Sequence, residues 1–230
     1  MKELNPKFSA GSKSDEGKRK SHKRLTKPKE RVQIRNTFNR SIKEIKDRLT
    51  MKPTDDYLRA EIVSLISAMD YYFHEIFCAC VIEIFNHERL FDTEKTDKSV
   101  LKNLYRHKIS LEYVRRFYDN KEDLSSIVDG VYSSIGYYSY QKYSKIKELL
   151  QCITNYKELE AELMQNLVCN KKNLTLKLND ITNRRNNIAH RSDYNIETYK
   201  KETISKEYVE ESVSFIEEFI KTIDDYLNNN

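Results

Sequence analysis

The chain of 230 residues contains no tryptophan and only 4 glycines and 3 prolines. So few turn-formers exclude the frequent tight turns of a sandwich or barrel and favour long helices. Cysteine is scarce as well, and Cys78, Cys80, Cys152 and Cys169 show no metal-ligand spacing. On a helix Cys78 and Cys80 point about 200° apart, so they cannot share an ion. All four read as reduced, structural residues of a cytoplasmic protein. The N-terminus lacks the apolar run of a secretory signal. A Gly-rich phosphate loop is also missing, which sets aside nucleotide chemistry. No metal and no cofactor is expected. What the chain does have is charge, at 33%, and aromatic residues, with 16 Tyr and 9 Phe spread along it. Aromatics in that number argue against a wholly disordered chain, and the length suffices for a sizeable core. The expected class is all-α.

The charge is unevenly placed. Residues 1–31 carry 11 Lys/Arg against 4 Asp/Glu, a net of +7, while residues 32–230 hold 30 against 32, a net of −2. Residues 11–24 offer nothing apolar to pack, so 1–31 is expected to be a disordered basic tail, followed by a single helical domain over 32–230. Lys18, Arg19, Lys20, Lys23 and Arg24 in that tail are candidates for phosphate contacts with RNA. Residues 62–85 form the one candidate membrane span. They include Asp70, His74, Glu75 and Glu83, and a central Asp costs about 2.5–3.5 kcal/mol on insertion scales. The run is read as a buried core helix, with no membrane.

Val32, Phe38, Ile42, Ile45 and Leu49 recur at helical spacing and predict a first helix ending before Pro53. Thr54-Asp55-Asp56 offers caps to a second, central helix over about 57–86. A third is expected over 96–118, with Val100, Leu104, Leu111, Val114 and Phe117 on its face. Residues 120–141 read as a short helix plus loop. Ile146, Leu149, Leu150 and Ile153 begin another helix, interrupted at Thr154-Asn155 and continued by Leu159, Leu163 and Leu167. Leu174, Leu178, Ile181 and Ile188 form the next stripe, and Asp193-Tyr194-Asn195 reads as a turn. In the last helix Ser205 is the cap, and Val209, Val213, Ile216, Ile220, Ile223 and Leu227 hold one face.

The helix ending near His190 holds the candidate chemistry. With Leu174 set at 0° and roughly 100° per residue, Arg185 falls at about 20°, inside the apolar stripe. A guanidinium there needs a carboxylate, a partner chain or an anionic ligand, and Asp70 or Glu75 of the second helix could serve. Asn179, Asn183, Asn186 and His190 form a separate polar stripe, placing His190 about 140° from Arg185. Two readings follow from the residues alone. Arg185 is a buried ion pair and His190 a helix C-terminal histidine favoured by the macrodipole, or the two belong to a site completed through the long Arg side chain, a distorted last turn or a second subunit.

The segment Arg185-Asn186-Asn187-Ile188-Ala189-His190 resembles the Arg-Asn-x-x-x-His motif of the HEPN superfamily. Its surroundings, residues 178–191 with the double Arg184-Arg185, are similar to the RiboL-PSP-HEPN branch. So are the final helix around residues 209–216 and the long helix with Arg59 and Asp70. The resemblance implies a HEPN-like helical bundle with helical insertions that dimerises with its motif helices facing each other. It also implies a metal-independent endoribonuclease. His190 would be the general acid/base, Arg185 would hold the scissile phosphate, Asn186 would orient the pair, and Asp70 would position an Arg. Arg184 and Arg191 would support the site and bind RNA. Attack by the 2′-OH would leave a 2′,3′-cyclic phosphate. In a toxin branch a Tyr two residues beyond the His is modified by a partner nucleotidyltransferase. Ser192 stands at that position here, and the nearest tyrosine is Tyr194. The expectation is thus an RNase effector of a toxin or phage-defence system, a homodimer, with room for a partner protein encoded nearby. The alternative is a non-catalytic RNA-binding or protein-interaction module.

Overall fold

The computed structural model describes residues 29–86, 108–120 and 124–229, and these form eight α-helices. They are α1 (Arg31–Thr50), α2 (Asp55–Phe85), α3 (Leu111–Asp119), α4 (Ser125–Ile135), α5 (Tyr143–Ile153), α6 (Tyr156–Asn166), α7 (Lys171–Arg191) and α8 (Lys206–Asn229). Among the described residues the only β pairing is an isolated antiparallel bridge between Tyr194 and Lys201. Residues 1–28, with the basic cluster Lys18 to Arg24, lie outside the described residues, as do 96–107 of the expected third helix.

α2 is the axis of the bundle because it is apolar around most of its circumference. It touches α1, α4, α5, α7 and α8, and Ile62, Leu65, Ile66, Met69, Phe73 and Ile76 are all fully buried. By length and composition α2 could cross a membrane, yet 67% of its apolar window is buried by the neighbouring helices. α8 crosses α1, α2 and α6, and the Ser205 hydroxyl caps it by accepting from the Tyr208 amide at 3.1 Å. The break between α5 and α6 falls at Thr154-Asn155, as the sequence implies. In residues 124–141 the short helix is α4, where Gly130 lets the Ile109 side chain approach. A Cβ at Gly130 would sit 2.6 Å from Ile109 Cγ2.

Several expectations need correction. Val32 is exposed, and Ile34 takes its place on the buried face of α1. The Thr54 side chain makes no cap hydrogen bond. Leu111, assigned to an apolar face, is 83% exposed as the first residue of α3, which Ser110 caps. The bundle also begins earlier than residue 32. Lys29 pairs with Glu75 at 3.3 Å and donates to Tyr71, while Arg31 pairs with Glu83 at 2.8 Å and donates to the Leu227 carbonyl. Those two cations belong to the folded body because they pair with α2 carboxylates, the buried Glu75 and the half-buried Glu83.

Candidate functional site

The motif helix α7 changes character along its length. Asn170 caps its start by accepting from the Asn173 amide at 2.9 Å. Leu174, Leu178 and Ile181 then insert fully into the core, each stabilising the fold by about 1.5–3 kcal/mol. The middle is held on two sides. The Thr182 hydroxyl donates to the Gln141 carbonyl at 2.7 Å, and Tyr208 of α8 donates to Asp180 at 3.1 Å. Beyond Thr182 no α7 residue is buried, and Asn183, Asn187, Ala189, His190 and Arg191 are exposed. Arg185 therefore follows the apolar stripe past the edge of the core.

The end of α7 is locked by Asp193. Ser192 and Asp193 both adopt left-handed backbone, with φ of 49° and 64°, which costs about 1–2 kcal/mol for each non-glycine residue. Their amides both donate to the Asn187 carbonyl. The Asp193 side chain is wholly buried, and its Oδ2 accepts from Arg59 Nε at 2.8 Å and from Arg184 Nη2 at 2.7 Å. Arg59 also donates to the Glu202 carbonyl at 2.7 Å, and Arg184 to the Thr203 carbonyl at 3.0 Å. Burial works against the charge on Arg59, but Asp193, Asp56 and Asp55 together outweigh it and raise the pKa. At the rim Asp56 accepts from Arg59 at 3.1 Å and Lys201 at 3.0 Å. One carboxylate thus joins α2, the end of α7 and the loop entering α8.

Among the described residues no Arg pairs with Asp70. Its carboxylate accepts from the Tyr140 amide at 2.6 Å and from the Gln141 side chain at 3.4 Å, so it fixes the loop whose Gln141 carbonyl receives Thr182. Its influence on the motif helix is one step removed. Glu75, the other proposed partner for Arg185, is occupied by Lys29 and by the Tyr132 hydroxyl at 2.6 Å. Arg185 instead donates to its neighbour Asn186 at 3.0 Å. Its Nε is shielded and has no hydrogen-bond partner, and no carboxylate pairs with it among the described residues. The side chains of His190 and Arg191 likewise have no partner among the described residues, and the structure shows no contact between His190 and Arg185. Arg184, expected to support the site, is consumed by the Asp193 clamp.

No three His, Cys, Asp or Glu side chains converge as a metal site among the described residues. An open groove of about 350 Å³ between α1 and α2 is lined by Ser41, Ser64, Ser67 and Tyr71, among others. Its three serine hydroxyls are bonded to carbonyls of their own helices, and none of its lining residues lies on α7. The sequence reading missed Asp193, taken there for a turn residue. Arg59 was the available signal, because a guanidinium set in the most apolar helix must have a buried acceptor.

A helical bundle whose longest apolar helix supports a second helix ending in Arg-Asn-x-x-x-His is a HEPN-type domain. More narrowly, the chain belongs to the RiboL-PSP-HEPN family, whose model matches residues 29–229. No curated protein and no solved structure matches the chain.

Proposed function

We propose that the chain is a metal-independent endoribonuclease that works as a cytoplasmic homodimer, of the kind used as toxin or phage-defence effectors. The observation that carries this reading is the state of Arg185. It is a cation held against the protein with no carboxylate partner among the described residues, beside Asn186 and five residues from an exposed His190 whose side chain has no partner among them. A phosphodiester supplies the missing negative charge, and a guanidinium binds it with paired, charge-assisted hydrogen bonds. In this mechanism His190 takes the proton of the ribose 2′-OH as its oxygen forms a bond to phosphorus. The P–O5′ bond breaks, the leaving oxygen gains a proton, and the products are a 2′,3′-cyclic phosphate and a 5′-hydroxyl. Arg185 stabilises the charge that develops on the phosphoryl oxygens, and Asn186 holds Arg185 in place. Because Arg185 and His190 diverge by about 140° on one helix, isologous pairing of two copies would complete the site.

The test is incubation of the purified protein with total RNA in the presence of EDTA. The expected result is cleavage to cyclic phosphate ends, slowed about 10²–10⁴-fold in His190→Ala, the range of a missing general acid/base. The melting temperature of that variant should match the parent, since His190 is exposed. Activity that EDTA abolishes and a divalent ion restores would overturn the assignment. Residues 1–28 hold 9 Lys/Arg against 3 Asp/Glu, and in this reading they add affinity for RNA that ignores its sequence. Deleting them should flatten the dependence of log K on log salt by about 0.7 for every phosphate they neutralise on a single strand. An unchanged slope would make the arm a bystander.

A further inference from the structure

The loop that leaves the motif helix carries three large side chains the bundle does not cover. Tyr194 is 50% exposed, Ile196 64% and Tyr199 82%. The loop is nonetheless firmly held. The Tyr194 amide donates to the Arg191 carbonyl at 3.0 Å, within one turn of His190, and Tyr194 pairs with Lys201 in the antiparallel bridge. The Asn195 side-chain oxygen accepts from the amides of Glu197 and Thr198 at 2.8 and 2.9 Å. Its amide nitrogen donates to Glu202 at 2.6 Å, and the Asp193 clamp anchors the base of the loop. Tyr199 has a φ of 53°, a region that bulky residues rarely enter. Strain of that kind persists only where the surroundings over-determine it.

Two phenol rings are thus kept in water on the segment that follows the motif, that of Tyr199 at a conformational cost. Arg191 and Lys200 are exposed there and have no side-chain partner among the described residues, against one exposed carboxylate, Glu197. The core of a protein interface also favours Tyr and Arg but is depleted of Lys, whereas aromatic faces beside two unpaired cations, one of them Lys200, suit nucleotides. The rings stack on bases while the cations hold phosphates. Resting on the ribonuclease reading above, we infer that Tyr194 and Tyr199 form a base-stacking subsite for unpaired nucleotides flanking the scissile phosphate. In a duplex both faces of each base are already stacked, so the rings have nothing to receive.

The experiment uses the full chain carrying His190→Ala, so that RNA is bound without being cut. The probes are a short single-stranded RNA containing 2-aminopurine and the same sequence as a duplex. Tyr194→Ala removes one ring, and Tyr199→Gly removes the other while relieving the left-handed backbone. Each should weaken single-strand binding roughly 5- to 100-fold and lessen the fluorescence quenching of the probe base. Duplex binding should not change, and Tyr194→Phe should behave as the parent. Unchanged single-strand affinity in both ring-deleted variants, or an equal loss on the duplex, would overturn the subsite and leave the ribonuclease reading standing. A parent that binds neither probe would defeat both. A drop in mass by light scattering in the ring-deleted variants without RNA would assign the patch to an interface between copies and also overturn the subsite.

Discussion

Arg184 and Arg185 are adjacent in sequence and about 100° apart on the same helix, and the fold uses them in opposite ways. Arg184 turns toward the Asp193 clamp and is neutralised by a buried carboxylate and two backbone carbonyls. Among the described residues Arg185 meets only the neutral Asn186 side chain. A half-buried cation that finds its carboxylate inside the fold is part of the scaffold, and one with no such partner is free to take a ligand. The clamp side fixes where α7 ends, and the motif side uses that fixed end.

The largest effect should come from breaking the clamp at its centre. Asp193→Asn keeps the shape and tolerates left-handed backbone, yet it leaves Arg59 and Arg184 without their shared anion. Stranding buried charge of this kind costs about 3–5 kcal/mol. For a chain of this size that lowers the melting temperature by roughly 6–20 °C. A calorimetric or circular dichroism melt measures it, and a shift of under a degree would remove Asp193 from the scaffold.

The comparison is sharpest in the two arginine variants themselves. Arg184→Ala loses charge-assisted hydrogen bonds and should cost about 1.5–3 kcal/mol, while Asp193 retains Arg59. Arg185→Ala should cost less than about 1 kcal/mol, as a substitution near the surface with no carboxylate to strand, but should lower RNA cleavage about 10²–10³-fold. Melts and cleavage rates measured side by side separate the two residues. If Arg185→Ala destabilises as much as Arg184→Ala, the distinction fails.

Much of the fold was legible in the sequence because apolar spacing survives packing. The faces of α1, α7 and α8, the α5–α6 break and the Ser205 cap all appear as periodicity and turn chemistry indicate. Val32 and Leu111 misled because the first turn of a helix often lies outside the core. The motif was legible as a string, but its surroundings were not. The sequence placed Arg185 inside an apolar stripe, and only packing shows that no α7 residue beyond Thr182 is fully buried. Asp70 was a reasonable partner for an Arg by composition alone. Its actual acceptor role depends on the loop at Tyr140, whose path no local pattern encodes. Asp193 was hidden for a related reason: a turn-favouring residue looks the same whether its side chain faces water or two guanidinium groups from distant helices.

The smallest effect belongs to the rim of the clamp, and it is read through pH. Asp56 is 75% exposed, so its pair with Lys201 is screened and contributes little. The hydrogen bond and charge of Lys201, with help from Arg59, hold its carboxyl below the ordinary value of 3.8. A carboxylate whose pKa is depressed by folding contributes stability that is fully present above its unfolded pKa. That contribution is lost as pH falls through the folded value. The difference in melting temperature between the parent and Asp56→Asn should therefore be small and constant from neutrality down to about pH 5. It should shrink below 3.8 and vanish at lower pH, once Asp56 is protonated in both states. Lys201→Met should remove most of the pH dependence, because Lys201 supplies most of the shift. A difference that persists unchanged to about pH 2 would mean the Asp56 substitution acts through something other than its charge.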